Sequence, residues 1–194
     1  DLPSDPVKPY QQNGGPLLYF GGISDPAKDL AAREADVYLM WPETENQLAD
    51  TIQDVARRAE AYGRTIDFGL RIHLVVRETE AEARAWCRRL TSRLDRDAGL
   101  ALRARGQDSV SYGVWRQDEL RKNATPDGYI EPLVWSEIGR AWSGCGSALV
   151  GSAEQIAEKL ERYRALGIRS FIFSGFPLYE ECSHAGHLLL PLLS

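Results

Sequence analysis

Ile66-Asp67-Phe68-Gly69-Leu70-Arg71-Ile72-His73-Leu74-Val75-Val76 is the stretch that decides the fold. Its even positions, Ile66, Phe68, Leu70, Ile72, Leu74 and Val76, form an unbroken apolar series. Successive side chains of a strand point to opposite faces, so one face of this segment is wholly apolar. The other face carries Gly69, Arg71, His73 and Val75. A strand covered on both sides reads as nearly all apolar. An arginine and a histidine on its second face are therefore costly unless they pair or face a polar cavity. Two readings follow: a satisfied structural pair, or an anion-and-proton site in which Arg71 holds an anion and His73 positions a proton.

Outward from this strand the chain has a regular rhythm. On its N-terminal side, Pro16–Phe20 is a short apolar run ending in Gly21-Gly22, and Val37–Trp41 is a second. A helix at about 26–35 lies between them, opened by Ser24-Asp25-Pro26. Glu45 to Tyr62 is an amphipathic helix with Leu48, Ile52, Val55 and Ala59 on one stripe, closed by Gly63. On the C-terminal side, Glu78 to Leu94 reads as a helix. Residues 96–129 are rich in Arg, Asp, Gly, Gln and Ser and read as a long, partly helical insertion, of the kind that forms lids and binding loops. A helix is expected at about 130–142, then a glycine-rich turn, Ser143–Ser147. Ser152 with Gln155 caps a helix at 152–166, Ile168–Phe173 is a fourth strand, and a last helix runs at about 179–190. Short apolar strands alternating with helices predict parallel βα units, hence an α/β sheet or barrel. The proline-rich residues 1–15 read as a linker or loop, and the length of the rest, 16–194, fits one domain or part of a larger one.

Composition narrows the class. The chain has 194 residues and a net charge of −5, which disfavours a partner held through phosphate contacts to nucleic acid. It has no apolar run long enough to span a membrane and no signal-peptide pattern at its start. Cys87, Cys145 and Cys182 are widely spaced and odd in number, as expected of reduced thiols in a cytoplasmic protein. His184 and His187 lie a helical turn apart without an acidic third ligand, so no metal site is expected.

In α/β folds ligands sit at the C-terminal ends of the strands. Gly21-Gly22-Ile23-Ser24 at such an end is either a phosphate seat before a helix N-terminus or an ordinary tight turn with a cap. Trp41 is either core or the wall of an apolar pocket.

Five segments occur together in a recognisable order: Leu18-Tyr-Phe-Gly-Gly-Ile-Ser-Asp25, Val37-Tyr-Leu-Met-Trp41, Phe68-Gly-Leu-Arg-Ile-His-Leu-Val-Val-Arg-Glu-Thr79, Gly144-Cys-Gly-Ser-Ala-Leu-Val-Gly151 and Ala165-Leu-Gly-Ile-Arg-Ser-Phe-Ile-Phe-Ser-Gly-Phe-Pro177. In these the chain resembles the C-terminal half of the reduced-FMN-dependent alkanesulfonate monooxygenases, within the bacterial-luciferase-like superfamily. The resemblance implies a (β/α)8 TIM barrel of which this chain supplies about the last four βα units, with a lid at about 96–142. It implies a two-component system in which an NAD(P)H-dependent FMN reductase supplies reduced FMN. With O2 as co-substrate, the carbon–sulfur bond of an alkanesulfonate is then cleaved to aldehyde and sulfite. It also implies that Arg71 and His73 are catalytic, that Trp41 lines the pocket, and that Gly22 and Ser24 lie near the flavin phosphate. Homo-oligomers are usual in the family.

The chain departs from that pattern at Trp142, where the sulfonate enzymes carry an arginine, and at Phe176 and Leu178, where they carry a tyrosine and a histidine. These changes make an apolar substrate pocket the expectation and bring in two relatives' chemistries, oxidation of a sulfone or of a long-chain alkane. A catalytically silent barrel subunit is the alternative of another class. The polar pair Arg71 and His73 speaks against silence.

Overall fold

The computed structural model describes residues 16–95, 97–99, 101, 111–140 and 146–193. The linker reading of 1–15, Trp142, Cys145 and the middle of the insertion lie outside them.

Four parallel strands form the frame: β1 (Tyr19–Phe20), β2 (Val37–Met40), β3 (Asp67–Arg77) and β7 (Ile168–Ser174). β1 pairs with β2 and β2 with β3, while β7 pairs with β3 from Phe68 to His73. Helices α1 (Asp25–Glu34), α2 (Glu45–Ala61), α3 (Glu80–Thr91) and α5 (Ala153–Ala165) connect or follow these strands. This is a curled α/β half-barrel: the strand–helix rhythm predicts an α/β sheet or barrel, and the resemblance implies half of one.

The two faces of β3 part as the alternation requires. Phe68, Leu70, Ile72, Leu74 and Val76 join Leu48, Ile52 and Val55 of α2 and Ile156, Leu160 and Tyr163 of α5 in one apolar core. The opposite face is the inner face of the barrel. There Gly69 packs so tightly that a Cβ would lie 2.7 Å from Ser170 Oγ and 3.1 Å from Leu39 Cδ1. Along that face Arg71 is exposed, His73 is buried, and Val75 lies in a second core under Ala83 and Cys87 of α3.

Helix ends follow their local chemistry. Thr44 with Gln47, Thr79 with Glu82 and Ser152 with Gln155 are complete capping boxes, each satisfying two otherwise orphaned N–H groups. Gly63 and Gly167 follow α2 and α5 with φ of 69° and 107°, conformations that glycine alone adopts without strain.

Two sequence expectations are corrected. Residues 130–140, within the helix expected at about 130–142, do not form an α-helix. They contain an antiparallel hairpin, β4 (Tyr129–Glu131) and β5 (Val134–Trp135), followed by a 3-10 turn at Glu137–Arg140. Leu133 turns the chain with φ of 69°, and Pro132 lacks the N–H that a helix interior needs. The Gly151 end of the glycine-rich segment belongs to a further strand, β6 (Ala148–Ser152), parallel to β3 from His73 to Arg77 and paired on its other edge with β5. Within the insertion, Tyr112–Lys122 forms a helix, α4. The final helix, α6, spans Leu178–His184 and runs on as a π turn at Ala185–Leu189.

Candidate active site

At the C-terminal ends of β1 and β2, beside the middle of β3, lies a cavity of about 400 Å³. Gly21, Gly22, Ile23 and Ser24 line it from the loop after β1, Trp41 and Glu43 from the loop after β2, and Arg71 from β3. Helix α4 closes the remaining side with Tyr112, Gly113, Arg116 and Gln117. Four residues singled out in the sequence, Gly22, Ser24, Trp41 and Arg71, are thus brought together.

The turn after β1 is built by packing. A Cβ on Gly21 would lie 2.9 Å from the Leu39 carbonyl oxygen, and one on Gly22 would lie 2.8 Å from the Ala27 Cβ. Only glycine lets the turn press this closely on β2 and α1. Tyr38, fully buried on β2, fixes it further by donating a 2.7 Å hydrogen bond to the Gly22 carbonyl. Burial pushes the Tyr38 phenol well above its ordinary value, so it stays a donor. Ser24 is the N-cap residue of α1, yet its hydroxyl makes no capping bond. Ser24 lines the cavity, so the N-terminus of α1 opens beside it, where the helix dipole favours an anion.

The loop after β2 is clamped to α4. Arg116 Nε lies 3.2 Å from both Glu43 oxygens and Nη2 lies 3.0 Å from Oε2. Hydrogen bonding to Glu43 raises the Arg116 pKa above its ordinary value, against the opposing pull of burial. Gln117 Nε2 donates to the Pro42 carbonyl at 2.9 Å, and Ser147 Oγ donates to Gln117 Oε1 at 3.4 Å. Composition marked 96–129 as an insertion, the resemblance implied a lid, and Glu43 stood in the strand end Trp41-Pro42-Glu43, but nothing in the sequence assigned Glu43 a partner or singled out Arg116 or Gln117. Their partners lie about seventy residues away, and no local spacing reports such pairs.

His73 stands two residues beyond Arg71 on the same face and does not line this cavity. Its Nδ1 is 2.8 Å from Ser174 Oγ, its register partner on β7. The Phe176 ring lies against its imidazole with centroids 5.2 Å apart. Phe176 therefore covers the histidine and does not line the cavity. Leu178, 64% exposed at the start of α6, lines no described pocket. Neither position makes the described cavity apolar. Among the described residues no group of three or more His, Cys, Asp or Glu side chains is placed to hold a metal ion, and no helix is long and apolar enough to cross a membrane.

The sequence model of the luciferase-like monooxygenases matches residues 3–170. The chain belongs to this family. It is 53% identical over 188 residues to a sulfoquinovose monooxygenase of Agrobacterium fabrum, covering 97% of this chain and 49% of that protein. It is 50% identical over 176 residues to a sulfoquinovose monooxygenase of Novosphingobium aromaticivorans, covering 91% and 49%. The chain thus spans about half the length of the curated relatives it matches. Among solved structures, DmoA from Hyphomicrobium sulfonivorans superposes with a TM-score of 0.67 at 19% identity, over 92% of this chain and 41% of that one. The long-chain alkane monooxygenase LadA superposes with a TM-score of 0.65 at 20% identity, over 92% and 41%. Both share the luciferase-like barrel fold, of which this chain forms one half.

Proposed function

We propose that the intact protein is a two-component, FMN-dependent monooxygenase that cleaves the carbon–sulfur bond of an organosulfonate with a polar, sugar-sized body. Reduced FMN and O2 are consumed; one oxygen atom goes to the aldehyde and the other to water, and sulfite leaves. The observation that carries the reading is the convergence of Arg71, Trp41 and Ser24 with the Glu43–Arg116 clamp around one cavity. The Glu43–Arg116 pair and Gln117 place polar groups on the cavity wall, where the hydroxyls of a sugar-sized sulfonate can meet them. The names of the two half-identical relatives support sulfoquinovose as the first substrate to test.

The roles follow from the donor sets. Ser24, the Gly22 turn and the N-terminus of α1 would hold the flavin phosphate, and Trp41 offers a flat apolar wall. Bound reduced FMN supplies the oxygen-activating chemistry. Arg71, a planar and permanently charged donor, binds the sulfonate anion. His73, two residues beyond Arg71 on the same face and held at Nδ1 by Ser174, would hold or move a proton at its imidazole beside the cavity. Helix α4 covers the site and keeps water from the reaction. An NAD(P)H-dependent FMN reductase as flavin donor and a homo-oligomeric assembly complete the proposal.

The test is anaerobic titration of the intact protein with reduced FMN, then admission of O2 and assay of sulfite from sulfoquinovose and from octanesulfonate. The expected result is sulfite from sulfoquinovose in preference to octanesulfonate, abolished in Arg71→Ala and His73→Ala. Flavin binding without sulfite from either compound overturns the substrate assignment. Absence of flavin binding overturns the whole reading.

A further inference from the structure

Gly113 is the second residue of α4, two positions after its N-cap residue Ser111. Nothing in its backbone calls for glycine: it lies in an α-helix, outside the positive-φ glycines of the chain. Glycine is also among the poorest residues for a helix. What the position does have is a ring in the way. A Cβ there would lie 3.2 Å from Cζ3 and 3.6 Å from Cε3 of Trp41, with Ser111 Oγ at 3.9 Å. The first distance is closer than side chains ordinarily pack, so either the helix or the indole would have to shift.

The helix is not placed to yield. Arg116 is held by Glu43, and Gln117 by Pro42 and Ser147. On the far side of Gln117, Gly146 is packed so closely that its own Cβ would lie 2.7 Å from Oε1. Val114 and Leu120 are buried beneath α4. The indole is the part that moves, and Trp41 and Gly113 both line the cavity.

We propose that Gly113 is a specificity-determining residue: its missing side chain lets the Trp41 indole lie back against α4 and so sets the width of the ligand cavity. The ligand class rests on the organosulfonate reading above; the packing relationship does not.

The experiment uses the intact protein labelled with 5-fluorotryptophan, with the Trp41 resonance assigned through Trp41→Phe. Gly113→Ala and Gly113→Val are compared with the unmodified protein for the Trp41 fluorine shift, the melting temperature, and calorimetric affinity for sulfoquinovose and methanesulfonate. The expected results are a moved Trp41 resonance and a melting temperature not lowered by alanine, the better helix former. The affinity ratio of the larger to the smaller sulfonate should fall about tenfold in Gly113→Val, the scale of a lost or added methylene in a closed pocket. In the Trp41→Phe background, which lacks the benzo edge, the same substitutions should leave the ratio within about twofold, as uncoupled sites do. An unmoved resonance, an unchanged ratio, or an equal effect in both backgrounds overturns the inference. A moved resonance in a protein that binds neither sulfonate overturns the substrate reading and, with it, the specificity role, leaving only the packing relationship.

Discussion

Glu43 and Arg116, seventy-three residues apart in sequence, meet in a forked ion pair at 3.0–3.2 Å that fastens α4 over the cavity. Glu43 is buried, whereas the Arg116 side chain keeps about a third of its surface in water. Truncating the arginine strands a buried carboxylate, and solvent screening of the exposed partner moderates the loss. Arg116→Ala is expected to cost about 1–2 kcal/mol in urea unfolding. Hydrogen exchange should rise across Tyr112–Lys122 and stay unchanged in β3. Equal exchange in both proteins would mean that α4 is held by other contacts.

Tyr38 offers a narrower test of the turn that is proposed to seat the flavin phosphate. Tyr38→Phe keeps the buried ring and removes only the 2.7 Å bond to the Gly22 carbonyl. A lost hydrogen bond to a buried group costs about 1–2 kcal/mol. Thermal melting should report that loss, and anaerobic titration should show reduced FMN bound several-fold more weakly. Lowered stability with unchanged flavin affinity would separate the turn from the flavin.

The parts of this fold legible in sequence were those decided locally. The even-position apolar series of β3, the 3.6-residue stripe of α2 and the Ser152–Gln155 cap each need only neighbours in the chain, and each stands in the structure. The hairpin β4–β5 was hidden because Ile130, Leu133 and Val134 sit at helical spacing. What overrides that spacing is the turn at Pro132 and Leu133. β6 was hidden because its five residues end in Gly151 and Ser152 and become a strand only by pairing with the far end of β3. In the site, Gly22, Ser24, Trp41 and Arg71 carried recognisable patterns, whereas Glu43, Gly113 and Arg116 acquire meaning only through each other.

Lys159, 2% exposed, places its ammonium 2.5 Å from both Glu45 and Glu131, and Glu131 also accepts from the Glu45 backbone N–H. Lys159→Met leaves Glu131 without its ammonium partner, next to Glu45, which keeps Arg162, and is expected to cost about 3 kcal/mol at neutral pH. Adding Glu45→Gln and Glu131→Gln should recover most of it. Burial raises the Glu45 pKa, but hydrogen bonds and charge from Lys159 and Arg162 outweigh that and hold it below its ordinary 4.5. Arg58 does the same for Asp54, against burial and with help from Lys28. A lowered carboxylate contributes stability above its unfolded value and loses it as pH falls through the folded one. The urea midpoint should therefore be flat from neutrality to about pH 5 and fall below it. The fall should be shallower in Lys159→Met; an equally steep fall would place the acid sensitivity elsewhere.

Cys87 and Cys182 differ in burial, and so in reactivity. Cys87, on α3, is buried against Val75 in the second core, and burial pushes its thiol up to about 12. Cys182 is exposed on α6. Iodoacetamide at mildly alkaline pH should modify Cys182 within minutes and leave Cys87 intact until the protein unfolds. Peptide mass spectrometry distinguishes the two, and early labelling of Cys87 would show that α3 opens from the second core.

Ser174 is the residue placed to set the chemistry of His73. It pairs with the histidine in register and bonds its Nδ1 at 2.8 Å, while Phe176 presses on the ring. The ring's orientation then depends on the hydroxyl. Ser174→Ala is expected to lower the rate of sulfite formation about tenfold, a fraction of what a well-placed acid–base group contributes. Ser174→Thr, which retains the hydroxyl, should recover most of it. The KM for the sulfonate should change little, because Arg71 is the group proposed to bind the anion. The acid limb of the pH–rate profile should also shift in Ser174→Ala, since a changed bond to Nδ1 alters the proton affinity of the imidazole. A rate loss with an unmoved pH profile and no rescue by threonine would make Ser174 a packing residue of the β3–β7 pair.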